Sequence, residues 1–157
     1  MRKHLLALVV VAAASLASAS MARDIPATGL TIPDIVSWLQ AGGYQAQVIT
    51  GSDGKQHVKT AANGVSFGVY LFDCKEGRCG SVQFAAGWDT KGTQDQARVG
   101  VWNRDKRWAR AYIDSSNDPW LEMDCDITPG GTYELLDDEF ATWRSVVTQF
   151  HDDFLTK

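Results

Sequence analysis

The chain has 157 residues, with 15 Lys and Arg against 19 Asp and Glu, and 45% of its residues are hydrophobic. A chain of this length can bury a core without help from a metal ion. The net charge of −4 argues against nucleic-acid binding, because a phosphate backbone needs a row of neutralising cations. The same charge argues against adsorption to an anionic membrane through a basic patch.

The first residues have the three parts of a bacterial secretory signal peptide. Arg2 and Lys3 form the basic start, residues 5–14 are an unbroken apolar run, and small residues fit cleavage after Ala19 or after Ala22. The run is too short for a transmembrane helix, which needs about 20 residues. No Cys follows the cleavage region, so we expect no lipid or membrane anchor. The prediction is a soluble periplasmic protein, with secretion to the medium less favoured.

Cleavage after Ala22 leaves 135 of the 157 residues, and 13 Lys and Arg against 19 Asp and Glu give them a net charge of −6. This length suits one domain. The predicted organisation is a signal peptide at residues 1–22, a linker at residues 23–30 and a single domain at residues 31–157.

The first half of the domain is predicted as one helix followed by four strands. Thr31 can cap the helix because Asp34 lies three residues later, and Gly42-Gly43 ends it. Asn63-Gly64 is the strongest hairpin signal in the chain. The predicted strands are residues 44–50, 56–62, 65–73 and 80–88.

The second half is predicted as a helix at residues 93–103, a hairpin of residues 106–114 and 120–127, and a final helix. An apolar stripe at spacings of three and four marks that last helix. Its members are Leu136, Phe140, Trp143, Val147, Phe150 and Phe154. The order α-β-β-β-β-α-β-β-α predicts a single α+β domain, in which helices pack on a twisted antiparallel sheet of about six strands.

Cys74 and Cys79 lie on either side of a four-residue turn between two predicted strands. Such positions face each other in a hairpin, so we expect a disulfide in an oxidising compartment. A zinc site would need a second Cys/His cluster, and a redox-active pair would favour the CxxC spacing. Cys125 alternates with apolar residues and is expected to point into the core.

The second hairpin supplies the candidate binding surface. Alternation places Ala109, Ala111 and Ile113 on one face, with the polar and aromatic residues on the other. Arg110 should pair with Glu122 or Asp124. An aromatic patch rimmed by charge is typical of a protein-binding surface. The candidate partner-binding residues are Trp108, Arg110, Tyr112, Trp120 and Glu122.

Three other interpretations of this face remain open. Glu122, Asp124 and Asp126 could bind Ca²⁺, although alternate strand positions lie about 7 Å apart, wider than in calcium loops. Paired carboxylates could act as a glycosidase acid and base, but a neighbouring Arg lowers the pKa of a carboxyl group, which is wrong for the acid. The third interpretation is an ordinary solvated face that another element partly covers.

No catalytic constellation or cofactor motif with local support is present in the sequence. We therefore predict no catalytic residues, no metal and no cofactor, and a binding rather than an enzymatic function. The six tryptophans suggest a small-molecule or glycan-binding domain as the alternative, although Trp38 and Trp143 lie on amphipathic helices and are expected in the core.

Residues 101–114, VWNRDKRWARAYID, resemble the WN-(R/K)-x-x-R-(F/W)-x-R-A-x-x-D segment of the bacterial YbjN family. The later LEMD and Gly130-Gly131-Thr132 segments, and the opening helix before Gly-Gly-Tyr, are also similar to that family. The resemblance covers residues 30–155. It identifies Trp102 and Asn103 as the fold motif.

The resemblance implies the fold of type III secretion chaperones and the label of sensory-transduction regulator. We expect Asn103 to end its helix in a left-handed conformation and Trp102 to wedge that helix onto the sheet. Together with the signal peptide, the aromatic face of the second hairpin suggests an unidentified envelope protein as the partner. Type III chaperones often dimerise, so a homodimer is also considered.

Overall fold

The computed structural model describes residues 22–155, and the predicted signal peptide lies outside this range except for Ala22. Within the described range, three helices and a six-stranded sheet follow the predicted order, which confirms the α+β fold class. The elements are α1 (Ile32–Ala41), β1 (Gln47–Thr50), β2 (Gln56–Ala62), β3 (Val65–Lys75), β4 (Arg78–Gly87), α2 (Gln96–Asp105), β5 (Arg110–Ile113), β6 (Pro119–Asp126) and α3 (Tyr133–Phe150). A π-helical turn, His151–Leu155, continues α3.

Neighbouring strands of the sheet are antiparallel throughout, in the order β1-β2-β3-β4-β6-β5. Two tight turns fix the register of the central strands. Asn63-Gly64 joins β2 to β3 and Glu76-Gly77 joins β3 to β4, and all four residues have positive φ. Two successive positive φ angles suit a two-residue hairpin turn, because they match the right-handed twist of the flanking strands.

The core lies between one face of the sheet and the helices. The apolar stripe of α3 is buried along its whole length, as its spacing predicted. Phe84 of β4 and Phe67 of β3 both contact Phe140 and Trp143 of α3. Trp38 of α1 packs edge-on against Phe140. The apolar residues at alternate strand positions therefore pack against the apolar stripe of α3 in one layer.

The caps of α1 agree with the prediction. The Thr31 hydroxyl accepts from the backbone N–H of Asp34, and the Asp34 carboxylate accepts from the backbone N–H of Thr31. This reciprocal pair satisfies two backbone donors at the start of the helix. Gly42 follows as the C-terminal cap.

Residues 23–30 pack on the domain. Leu30 and Cys79 exchange two backbone hydrogen bonds, at 3.0 and 2.8 Å. Ile25 and Leu30 are both buried in the core. A Cβ on Gly29 would lie 2.0 Å from the Cys79 carbonyl oxygen, so this approach to β4 requires glycine.

Three elements begin three or four residues later than predicted. β1 begins at Gln47 rather than at residue 44, because Tyr44 turns inward, packs on Phe140 and accepts a hydrogen bond from Arg144. α2 begins after Asp95, whose side chain caps it, two residues beyond Thr93. β5 begins at Arg110 because α2 extends to Asp105 and displaces the strand along the chain.

Candidate binding surface on the open face of the sheet

The second face of the sheet, called the outer face below, carries the alternate residues of the same strands. Its principal side chains are Tyr70 and Phe72 of β3, Gln83 of β4, Arg110 and Tyr112 of β5, and Trp120, Glu122, Asp124 and Asp126 of β6. Within residues 22–155, the side-chain contacts of α1 and α3 lie on the opposite face. The outer face is therefore open to a partner.

The register of the second hairpin agrees with the predicted alternation. Arg110 lies opposite Glu122, and Tyr112 lies opposite Trp120. The two rings are stacked, with centroids 6.3 Å apart and planes 11° apart. Ala111 and Leu121, one residue along, are buried on the core face.

Glu122 is the polar centre of this surface. One carboxylate oxygen accepts from the Arg110 guanidinium at 2.7 Å, and the other accepts from the Tyr112 hydroxyl at 2.8 Å. Only 13% of the Glu122 side chain is exposed, whereas 71% of Arg110 is. Of the two predicted partners of Arg110, Glu122 and Asp124, the structure shows Glu122, and the two neighbours of Glu122 hold its carboxylate in one orientation.

The pKa values of two tyrosines near Glu122 are raised. Burial is the first cause that raises the pKa of the Tyr112 hydroxyl, and its hydrogen bond to Glu122 is the second. The pKa of Tyr70 on β3 is raised by burial and then by the negative charges of Glu122 and Asp53. Both phenols therefore remain neutral hydrogen-bond donors across the physiological pH range.

Two glycines let the aromatic rings lie against the sheet. A Cβ on Gly87 would lie 2.4 Å from the Trp120 ring, and a Cβ on Gly68 would lie 2.4 Å from the Tyr70 ring. Each ring therefore occupies the space that a side chain at the glycine would fill, on the neighbouring strand β4 for Trp120 and on its own strand β3 for Tyr70. The indole Nε1 of Trp120 donates to Asp114 at 3.0 Å, which fixes the other end of the ring.

Asp114 organises the turn between β5 and β6. Its carboxylate accepts from the backbone N–H groups of Ser116 and Asp118, as well as from Trp120. The bond from Asp118 is the largest cause that holds the pKa of Asp114 below its ordinary value. An ionised Asp114 thus ties the turn to the aromatic part of the outer face.

Trp108 lies outside β5, contrary to the prediction that it would alternate with Arg110 on the strand. The chain leaves α2 at Lys106, and Trp108 adopts a positive φ of 79° before the strand begins. Its side chain is 62% exposed, with the Arg107 guanidinium 4.4 Å from the ring centroid. Trp108 is therefore an exposed apolar side chain next to the hairpin, and its role in binding stays a prediction.

Asn103 does not have the predicted left-handed conformation at the end of its helix. It lies within α2, where its side-chain amide donates to the Ala111 carbonyl at 2.9 Å and its oxygen accepts from the Ala111 N–H at 2.8 Å. The side chain thus binds the free edge of β5 as a neighbouring strand would. Trp102 is buried and packs edge-on against Phe150 of α3, so its observed ring contact is with a helix.

The predicted disulfide between Cys74 and Cys79 is present and joins β3 to β4. Cys125 is buried, as expected, and it is a free cysteine. Among residues 22–155, no group of three His, Cys, Asp or Glu side chains could hold a metal ion. No helix in the same range has the length and apolarity that crossing a bilayer would take.

β3 contributes a part of the outer face that alternation within the second hairpin does not predict. Tyr70 pairs with Gln83, which pairs with Asp124, and the Gln83 amide donates to that carboxylate at 2.8 Å. The His57 ring of β2 stacks on Tyr70 at 4.5 Å. Counting back from the Cys74–Cys79 pair would have placed Tyr70 on the same face as Gln83, but the order of β4 and β6 in the sheet was not known.

The chain matches the sequence model of a known protein family. The sequence model of the YbjN family, described as "Putative bacterial sensory transduction regulator", matches residues 33–156. No curated protein matches the chain. The family match includes every helix and strand of the fold except Ile32, the first residue of α1. Because it spans most of the chain, the protein belongs to the YbjN family.

Proposed function

We propose that this protein is a non-enzymatic regulator of the bacterial cell envelope that acts by binding another protein through the outer face of its sheet. The observation that carries the proposal is the open aromatic surface around Glu122, made by Tyr112, Trp120 and Tyr70. Aromatic residues with satisfied polar neighbours are enriched where proteins bind each other.

Two features of the chain support the bacterial envelope as its compartment. The apolar run of residues 5–14 and the small residues before Ala19 and Ala22 fit a signal peptide. The disulfide between Cys74 and Cys79 fits an oxidising compartment. Amino-terminal sequencing of the protein from a periplasmic extract should find a start at residue 20 or 23. An intact start and two free thiols in protein from the cytosol would reject this part.

Site-specific photocross-linking in living cells tests the surface. A photoreactive phenylalanine analogue at Trp108 or Trp120 should form a discrete adduct with one envelope protein. The matched control is Leu135 on α3, which is 45% exposed but lies on the opposite side of the domain. Equal adducts from all three positions, or none from Trp108 and Trp120, would reject binding through the outer face.

Alanine variants give the complementary measurement. The double variant Trp108→Ala/Trp120→Ala should lose the cross-linked partner in co-purification, whereas Leu135→Ala should retain it. Circular dichroism establishes that each variant is folded. A folded double variant that still co-purifies with the partner would show that the interaction uses another surface.

A cleft beside β3 favours the second candidate, small-molecule binding. The cleft has a volume of about 500 Å³ and lies between the β1–β2 turn and β3, where His57, Tyr70, Phe72 and Asp53 contribute to its wall. Aromatic rings beside polar groups are typical of sugar-sized sites. Titration of envelope glycans followed by nuclear magnetic resonance should shift the His57 and Phe72 ring signals, and unchanged signals would remove this candidate.

A further inference from the structure

Residues 23–25 pair antiparallel with the residues that lead into α3. The Tyr133 N–H donates to the Arg23 carbonyl at 2.9 Å, and the Ile25 N–H donates to the Gly131 carbonyl, also at 2.9 Å. Ile25 is buried in the core, which anchors the far end of this pairing. The chain is therefore held in a defined place on the domain from Arg23 onwards.

The backbone nitrogen of Arg23 faces a carboxylate. Its N–H donates to Oε2 of Glu134, in the first turn of α3, at 2.9 Å. The Arg23 side chain lies on the same corner of the domain, with its guanidinium 4.7 Å from the centroid of the Tyr133 ring and its Nε 3.9 Å from Oε1 of Glu134. Ala22, the residue before it, is exposed. The contacts of Arg23 thus fix its nitrogen beside an acidic side chain.

This nitrogen is also one of two candidate amino termini of the exported chain. Small residues permit cleavage after Ala19 or after Ala22. Hydrolysis adds water across a peptide bond and leaves a carboxylate on one residue and an ammonium group on the next. After a cut at Ala22, the ammonium nitrogen is the one that lies 2.9 Å from Glu134. After a cut at Ala19, the ammonium group is on Ser20, and Arg23 keeps an ordinary amide.

We propose that the exported chain is cut between Ala22 and Arg23 and that Glu134 binds the new α-ammonium group as an ion pair. A charged donor makes a hydrogen bond to a carboxylate that is roughly twice as strong as that of a neutral donor. The ion pair forms only in the processed protein, so processing strengthens the contact between the amino terminus and α3. The inference rests on the export that the proposed function includes, and it adds the bond that is cut and the side chain that receives the new terminus.

Several charges act on the new terminus. Glu134 and the carboxylate of Asp24 favour the ammonium form, whereas the Arg23 guanidinium and the positive end of α3 oppose it. Asp34 of α1 and Arg78 of β4 act on the same corner of the domain, but they pair with each other at 3.3 Å and largely cancel. Glu134 is in direct contact with the nitrogen, so its attraction is the strongest of these interactions. The pKa of the α-amino group should therefore lie above its ordinary range.

The full chain, expressed with its signal peptide in a bacterium and purified from the periplasm, gives the first test. Intact-mass spectrometry should find one mature form, which begins at Arg23. A form that begins at Ser20, alone or mixed with the first, would overturn this inference but leave the proposed export in place. An uncleaved chain that stays in the cytosol would reject both.

The ion pair needs a direct measurement, because Glu134 is about half exposed and such a pair contributes little to stability. Reductive methylation with labelled formaldehyde at neutral pH, followed by nuclear magnetic resonance, resolves the α-amino group. An ammonium group must lose its proton before it reacts, so Glu134→Gln should be methylated there about tenfold faster than the wild type.

The matched control is Asp138→Asn, which removes the same charge from an exposed position one turn later on α3. Its α-amino group should react at nearly the wild-type rate. Equal rates in the wild type and Glu134→Gln would overturn the ion pair. So would an equal acceleration in the two variants, because the effect would then come from the general charge of α3 and not from the contact with Glu134.

Discussion

The two faces of the sheet are built from neighbouring residues of the same strands, yet they are stabilised in different ways. On β4, Phe84 is fully buried against α3, whereas Gln83 on the outer face bonds to Asp124 and remains partly exposed. On β6, Leu121 is buried, and the next residue, Glu122, is held by two polar neighbours. The core face is stabilised by the close packing of apolar side chains, and the outer face is stabilised by hydrogen bonds and an ion pair between polar side chains. A regulator can therefore change its outer face without losing its fold.

The largest expected effect comes from removing volume on the core face. Phe84→Ala should lower the free energy of unfolding by about 3–5 kcal/mol, because the ring contacts both Phe140 and Trp143 and its loss leaves a cavity. Gln83→Ala, one residue earlier, should cost less than about 1 kcal/mol. Urea denaturation measures both. Similar costs for the two variants would contradict the division between the faces.

The edge of β5 should respond to the loss of polar bonds rather than of volume. Asn103→Leu keeps the approximate size of the side chain but leaves the N–H and C=O of the buried Ala111 without their partners. Each such bond contributes about 1 kcal/mol, so we expect a loss of about 2 kcal/mol in urea denaturation. Arg104→Leu, at the next position of α2, should leave the urea midpoint unchanged. An Asn103→Leu variant with the urea midpoint of the wild type would show that the edge of β5 needs no cover.

The fold could be predicted because its signals are local. The capping residues of α1, the Asn63-Gly64 turn and the stripe of α3 each lie within a few residues of what they determine. The roles of Tyr44 and Asn103 could not be predicted in this way. Tyr44 bonds to Arg144, one hundred residues later, and Asn103 bonds across the start of β5. Their structural roles depend on which elements become neighbours in the fold.

The candidate surface was predicted only in part for the same reason. Alternation within one hairpin places Arg110, Tyr112, Trp120 and Glu122 on one face without knowledge of the other strands. The contribution of Tyr70 requires the pairing of β4 with β6, which are separated by α2 and β5 in the chain. A strand order with such a crossover cannot be obtained from periodicity alone.

Alkaline pH provides a further probe of the core face through Cys125. Burial is the first cause that raises the pKa of its thiol to about 12, followed by the carboxylates of Glu139, Asp124 and Asp126. The unfolded chain releases this proton near its ordinary pKa of about 9, so the folded state holds it at higher pH. Its contribution to stability is complete below pH 9 and is lost as the pH rises towards 12.

This loss should amount to about 1.4 kcal/mol for each pH unit within that range. Tyrosines with raised pKa values titrate in the same range, so the measurement is the difference between the wild type and Cys125→Ala. The variant should be less stable at neutral pH, because it has a cavity, and less sensitive to pH between 9 and 11. Parallel stability curves would mean that the thiol ionises as easily in the folded protein as in the unfolded chain.

The smallest expected effect concerns a single hydrogen bond on the outer face. Tyr112→Phe removes the donor to Glu122, but Arg110 still neutralises the carboxylate and the ring stack with Trp120 is retained. We expect a loss below about 1 kcal/mol in urea denaturation, since water can replace the phenol at a partly exposed site.

The matched control for this bond is Tyr70→Phe. Tyr70 lies on the same face and has a raised pKa, but its hydroxyl makes no hydrogen bond within the described part of the chain. Tyr70→Phe should therefore lower the free energy of unfolding by less than Tyr112→Phe does. If the two variants are equally stable, the bond to Glu122 contributes nothing to folding, and the orientation of that carboxylate must come from Arg110. Outer-face polar groups would then be free to exchange their present partners for those of a bound protein, which is what a regulatory surface requires.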